Sequence, residues 1–218
     1  MANLMIDKKA LAEFFGTATL LLAVVGSSFM AERLTQDSAL ALLINASVTA
    51  VVLALIIRSA LNISGAHFNP VVTIIALLLG KIKSPQALVY LVSQTLGAMF
   101  GVALANLMFK EVAFASSSIE REGLAQLLGE VIATSGLVFL AFSARKKHVW
   151  KLIPMWIFGA YFFTISTSFA NPAVTIARFF TQAPAGIASS SILGFISAQL
   201  LGSLLVLGFF RNRKSLSL

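Results

Sequence analysis

The sequence predicts an all-α membrane protein of six transmembrane helices plus two re-entrant half-helices, built as an inverted repeat. Three observations carry this. Of 218 residues, 58% are hydrophobic and 11% charged, at a mean hydropathy of +0.93, which leaves too little polar surface for a soluble globule. Long uncharged runs recur along the chain, and at roughly 20 residues per crossing they fill it as a single transmembrane domain, residues 1–218. An Asn-Pro pair returns at corresponding places in the two halves, 1–112 and 113–218.

Cutting at charges and at prolines, which disfavour helix in the residue before them, places six full helices near residues 10–31, 38–58, 85–109, 123–144, 151–169 and 185–210. The first run has no small-residue cleavage site after it, so it reads as a retained span rather than a signal peptide.

Charge orients the bundle. With the N-terminus inside, one face receives twelve basic residues (Lys8, Lys9, Arg58, Lys81, Lys83, Arg145, Lys146, Lys147, Lys151, Arg211, Arg213 and Lys214) against the acid Asp7. The other receives Arg33, Lys110 and Arg121 with five acids, so the positive-inside rule puts both termini in the cytoplasm. The net charge of +8 is therefore a topology signal and not a nucleic-acid site; the expected surroundings are membrane lipid. With no cysteine there is neither a disulfide nor a thiolate metal site. No metal-ligand cluster or activated nucleophile is visible, so neither an enzyme nor a cofactor is expected.

The halves share landmarks in one order. Ala12-Glu13-Phe14 answers to Gly129-Glu130-Val131, Asn69-Pro70-Val71-Val72-Thr73-Ile74 to Asn171-Pro172-Ala173-Val174-Thr175-Ile176, and Gln94-Thr95-Leu96-Gly97 to Gln199-Leu200-Leu201-Gly202. Three crossings per half, an odd number, make the repeat inverted. Residues 70–80 read as a short helix with Asn69 as N-cap and proline in the first turn; 172–182, capped by Asn171, matches it. About ten residues rise roughly 15 Å, half the hydrocarbon thickness, so each segment enters from one face without crossing. Two such helices meeting at their N-termini put unsatisfied amides and positive dipole ends at mid-membrane, where irregular backbone is tolerated only in protein or beside a wet cavity. A pore is the expectation.

On these motifs the chain resembles the aquaporin, or major intrinsic protein, family, and in particular bacterial members with valine in place of a filter arginine. The resemblance rests on Ala12-Glu13-Phe14, on Ser64-Gly65-Ala66-His67-Phe68-Asn69-Pro70-Val71 and on Ser168-Phe169-Ala170-Asn171-Pro172-Ala173. It implies a right-handed six-helix bundle with one pore per chain, usually a homotetramer, passing water or small neutral solutes passively in a cell membrane, here a bacterial inner membrane. The pore centre would be Asn69, Pro70, Val71, Asn171, Pro172 and Ala173. The two carboxamides would orient a water so that it relays no proton, while the opposed dipoles repel cations.

The selectivity positions implied by the resemblance are Thr49, Ser168 and Val174, the last where most members carry arginine. For the fifth helix Gly159, Ala160 and Phe163 are candidates. Small residues at these places predict a filter wider and less positive than that of a strict water channel, admitting glycerol, urea, or solutes like arsenous acid and methylated arsenicals. Val71, where alanine is commoner, adds methyl groups expected to narrow or dry the centre. Arg178, four residues after Val174, either replaces the missing cation or snorkels beside the end of the half-helix.

Glu13 and Glu130 are intramembrane carboxylates and so candidates for function. Each half pairs one with a glutamine, Gln94 or Gln199, which suits acceptors tying down the amides of the re-entrant loops; a proton relay is the alternative. His67 either gates by protonation or bonds to loop backbone. Three functions follow: a channel for small neutral solutes, a strict water channel of the same fold, and a proton-coupled transporter using Glu13 and Glu130.

Overall fold

The structure is a computed structural model that describes the backbone of residues 2–216 and the side chains of 8–212. The side chains of Asp7, Arg213 and Lys214, counted above for orientation, lie outside the described residues. Helices run in the order α1 (Ala2–Leu34), α2 (Ser38–Ala60), α3 (Pro70–Leu78), α4 (Ser84–Met108), α5 (Leu124–Ser143), α6 (Lys146–Phe163), α7 (Pro172–Ala177) and α8 (Ser189–Leu216). A 3₁₀ turn, Arg178–Phe180, follows α7, and no strand occurs among the described residues. Six helices are transmembrane and α3 and α7 are the two short ones.

Local chemistry sets the boundaries. Asp37 opens α2, its carboxylate accepting from the amides of Ala39 (2.8 Å) and Leu40 (3.0 Å). Asn69 and Asn171 open the short helices in extended conformation, each followed by proline in the first turn. Among the described residues five segments are long and apolar enough to cross a membrane: Lys8–Leu34, Ser38–Ala60, Ser84–Met108, Leu124–Ser143 and Ser189–Asn212. The sixth crossing, α6, has 18 residues, about 27 Å, with Lys146, Lys147 and Lys151 in its first two turns.

Two expectations need correction here. The fifth crossing was placed at 151–169, but α6 starts at Lys146 and ends at Phe163. Lysines at the end of a crossing remain helical because their stems reach back to water, whereas Thr164 leaves the helix for a loop with positive φ at Thr167, Ser168 and Ala170. The second half-helix does not match the first in length, since after the six residues of α7 it tightens into the 3₁₀ turn that carries Arg178.

The halves pack around equivalent glycines. A Cβ at Gly97 would overlap the Phe14 carbonyl of α1, and one at Gly202 would overlap the Val131 carbonyl of α5, so α1–α4 and α5–α8 approach backbone to backbone. Leu88, Phe100, Leu128, Leu193 and Leu205 stand exposed on the outside of the bundle, an arrangement suited to lipid.

Candidate functional site

Two buried glutamates hold the loops that precede the short helices. Glu13 on α1 accepts from the Ser64 hydroxyl (2.6 Å) and His67 amide (3.0 Å) at Oε1, and from the Phe68 amide (2.7 Å) and Gln94 Nε2 (2.8 Å) at Oε2. Glu130 on α5 accepts from the Phe169 amide (2.9 Å) at Oε1, and from the Ala170 amide (2.8 Å) and Gln199 Nε2 (2.6 Å) at Oε2. The glutamines also donate to hydroxyls of the short helices, Gln94 to Thr73 and Gln199 to Thr175, both at 2.9 Å. These bonds hold Ala66, Phe68, Ser168 and Ala170 in left-handed backbone, with φ between 47° and 54°, a conformation costing roughly 1–2 kcal/mol per non-glycine residue.

The asparagines tie the two loops together. Asn69 Nδ2 donates to the Ala170 carbonyl (2.7 Å) and Asn171 Nδ2 to the Phe68 carbonyl (2.8 Å), while each Oδ1 accepts from an amide of its own short helix. A carboxamide has two N–H donors, so each nitrogen keeps one for a guest. Among the described residues nothing donates a hydrogen bond to the carbonyls of Gly65, Ala66 and His67, or of Thr167, Ser168 and Phe169. Successive free acceptors therefore flank the free donors.

One cavity of about 280 Å³ runs past these groups. Its walls reach from Lys81 and Lys146 at one end, past His67, Asn69 and Asn171, to Thr49, Tyr161, Ser168, Val174 and Arg178 at the other. The facing wall is apolar, formed by Leu20, Val24, Leu53, Ile57, Leu137, Ile153 and Ile157. No carboxylate lines it; Glu13 and Glu130 stand behind the loops with both oxygens engaged.

The structure thus brings Asn69, Asn171, Thr49, Ser168, Val174, Arg178 and His67 to one cavity, and sets Glu13, Glu130, Gln94 and Gln199 behind it. Pro70, Val71, Pro172 and Ala173 are buried and do not line it. The methyl groups of Val71 pack into the core, and Val72 faces the cavity instead. His67 bonds through Nδ1 to the Thr73 hydroxyl (3.0 Å) as well as through its amide to Glu13. None of the three fifth-helix candidates lines the cavity: Gly159 and Ala160 lie off that face and Phe163 is 54% exposed on the outside. The residue there is Tyr161, its hydroxyl 3.3 Å from Thr49 Oγ1. Its spacing from Ile157 and Ile153, one and two turns earlier on the same helix face, was the available signal.

Arg178 does not snorkel. It is 2% exposed, its Nε bonded to the Ala185 carbonyl and its guanidinium 3.4 Å from the Phe169 ring centroid. It also lines a second cavity of about 310 Å³ with Glu32, Asp37, Thr167 and Arg121, so the two cavities meet at this side chain. Arg121, unremarked in the sequence except for its charge, donates to the carbonyls of Gly186 (2.8 Å) and Pro184 (3.0 Å) and lies 5.1 Å from the same ring. Burial pulls its pKa below the ordinary arginine value, with Glu130 and Tyr161 acting in the opposite sense. No group of three or more His, Cys, Asp or Glu residues placed to hold a metal occurs among the described residues.

Comparison with known proteins gives this architecture a family. The family model "Major intrinsic protein" matches residues 1–164. The chain is 41% identical over 209 residues to aquaglyceroporin AqpS of Rhizobium meliloti (strain 1021), covering 94% of this chain and 90% of that one. It is 33% identical over 162 residues to a probable TIP-type aquaporin of Medicago truncatula, covering 68% and 62% of the two chains. In fold it is similar to the aquaglyceroporin from Plasmodium falciparum, with a TM-score of 0.74 at 17% identity over 94% of this chain and 95% of that one. The family consists of membrane channels for water and small solutes, not enzymes, and this chain, a multi-pass membrane protein, belongs to the major intrinsic protein family.

Proposed function

We propose that this protein is a passive channel for water and small uncharged solutes of the size of glycerol, urea and arsenous acid or its methylated relatives. One observation carries the reading: a single cavity joins Lys81 to Arg178, passing the free N–H of both Asn69 and Asn171, with a polar side of carbonyls and an apolar wall opposite. A permeant bonds to one side and slides along the other, so it is held weakly enough to leave. At the centre two donors and two short-helix N-termini face a water's oxygen, leaving its hydrogens directed outward and breaking a proton wire. The similarity to proteins named aquaglyceroporins supports solutes beyond water.

In this reading residues 1–112 and 113–218 are inverted repeats, both termini are cytoplasmic in a bacterial inner membrane, and four chains assemble as a tetramer. The Arg178 end is then the outer mouth. A strict water channel is the second reading, favoured by Tyr161 and Arg178, which make that end more aromatic and more cationic than the sequence suggested. Proton-coupled transport is disfavoured because neither Glu13 nor Glu130 reaches the cavity.

Stopped-flow light scattering on vesicles containing the purified protein tests this. Shrinkage in impermeant osmolyte and re-swelling in glycerol or urea should both exceed those of protein-free vesicles, with no pH change coupled to solute flux. Fast water flux with no glycerol, urea or arsenous acid flux would select the second reading. Uphill solute movement driven by an imposed pH gradient would overturn both.

A further inference from the structure

Resting on the channel reading, the geometry assigns Arg121, together with Arg178, as an outer cation barrier of this channel, additional to the opposed dipoles at its centre: a two-arginine collar at the outer mouth that stands in for a charge absent at Val174. Val174 lines the cavity but is neutral, so any barrier at this end comes from elsewhere in the chain. Among the charged side chains of the described residues Arg178 alone lines both cavities, and Arg121 lines the second. The two come from different places, Arg121 from the segment joining the halves and Arg178 from the 3₁₀ turn after α7. They converge on the Phe169 ring and on three consecutive carbonyls, those of Pro184, Ala185 and Gly186.

Among the described residues neither guanidinium has an ion-pair partner. Glu32 and Asp37 line the second cavity without pairing with Arg121 or Arg178, and Asp37 Oδ1 is occupied capping α2. Glu130, which attracts both arginines from behind the loop, has both oxygens engaged by the loop and Gln199. Among the described residues the two Nη groups of Arg178 donate to no protein acceptor, and the Ser168 hydroxyl, which lines the same cavity, is buried without a partner. A guanidinium anchored through Nε with both Nη groups free serves a passing oxygen as donor and a passing cation as obstacle. Unpaired charge in a confined, poorly hydrated space acts over several ångströms, so two such groups repel a cation more than either alone.

The carbonyl bonds admit a purely structural role for Arg121, which pins residues 184–186. Glutamine separates the two, because its amide still donates to a carbonyl while the charge is gone. Vesicles carrying the wild type, R121Q, R178Q, the R121Q/R178Q double variant and the R121K/R178K double variant are compared for glycerol flux and for sodium leak read by an entrapped sodium-sensitive dye. Elution of each chain from a sizing column in detergent reports folding. Each single glutamine variant should raise sodium leak about tenfold and the double variant more, while the lysine pair stays tight. If the wild type conducts glycerol and the folded glutamine double variant conducts it while remaining as tight to sodium as the wild type, the collar is wrong and the channel reading stands. If the wild type passes neither water nor glycerol, the channel reading fails and the collar with it. Should the double variant not fold, a single R121Q with wild-type tightness overturns the assignment of Arg121.

Discussion

The two re-entrant loops are alike in how they are held and unlike in what they present. Each is fastened by a glutamate–glutamine pair, each carries left-handed residues, Ala66 and Phe68 in the first and Thr167, Ser168 and Ala170 in the second, and each sends one carboxamide to the other's backbone. Beyond the asparagines they part. The first continues as nine helical residues toward Lys81, while the second stops after six and turns tightly to deliver a buried arginine against Phe169. The scaffold is duplicated and what it presents beyond the asparagines is not, so in the proposed channel the departures from the repeat would set which solute is admitted.

The comparison breaks most readily at the glutamates. Glu13→Ala and Glu130→Ala each strand several buried donors, at about 1–3 kcal/mol apiece, so each should lower stability by about 3–5 kcal/mol. Thermal unfolding in detergent checks this, and a difference above about 2 kcal/mol between the two would show that the loops are not held equivalently. A next, intermediate effect sharpens the contrast at the Arg178 end. Val174→Arg adds a long cationic side chain to a wall that already holds Arg178, and should reduce glycerol and urea flux about tenfold relative to water flux in the same vesicles. The smallest concerns Tyr161→Phe, which deletes the hydroxyl 3.3 Å from Thr49 and frees the threonine for the permeant. A hydrogen bond of about 1 kcal/mol implies a change of roughly fivefold or less in the glycerol-to-water ratio, with no change in sodium tightness.

What could be read in the sequence was what local chemistry writes there. Asn-Pro before an apolar stretch specifies a capped helix whatever surrounds it, so both short helices start at Asn69 and Asn171 as the residues indicate. Thr49, Ser168 and Val174 follow from the resemblance and not from spacing alone, and with Arg178 they line one cavity. What could not be read depends on partners far away in the chain. The stretch from Thr164 to Ala170 carries no charge and so passes as a continuation of the crossing, but it is rich in serine and threonine, and Glu130 holds its left-handed turns from a distant helix. Val71 was assigned to the centre by its adjacency to Asn69, but a helix turns by about 100° per residue and carries the next side chain, Val72, to the lining. Arg121 was visible only as a charge, because nothing in its neighbourhood announces that it reaches residues 184–186, more than sixty positions ahead.

The reciprocal asparagine ties also bear on how the protein is made. Ala170 emerges 101 residues after Asn69, and Asn171 follows Phe68 by 103, so on the ribosome the first loop is threaded into the bilayer long before its counterpart exists. Until then the Asn69 amide has no mate and that half stays unlatched. The centre of the molecule is therefore joined only after the second loop has been made, with α8 still to follow.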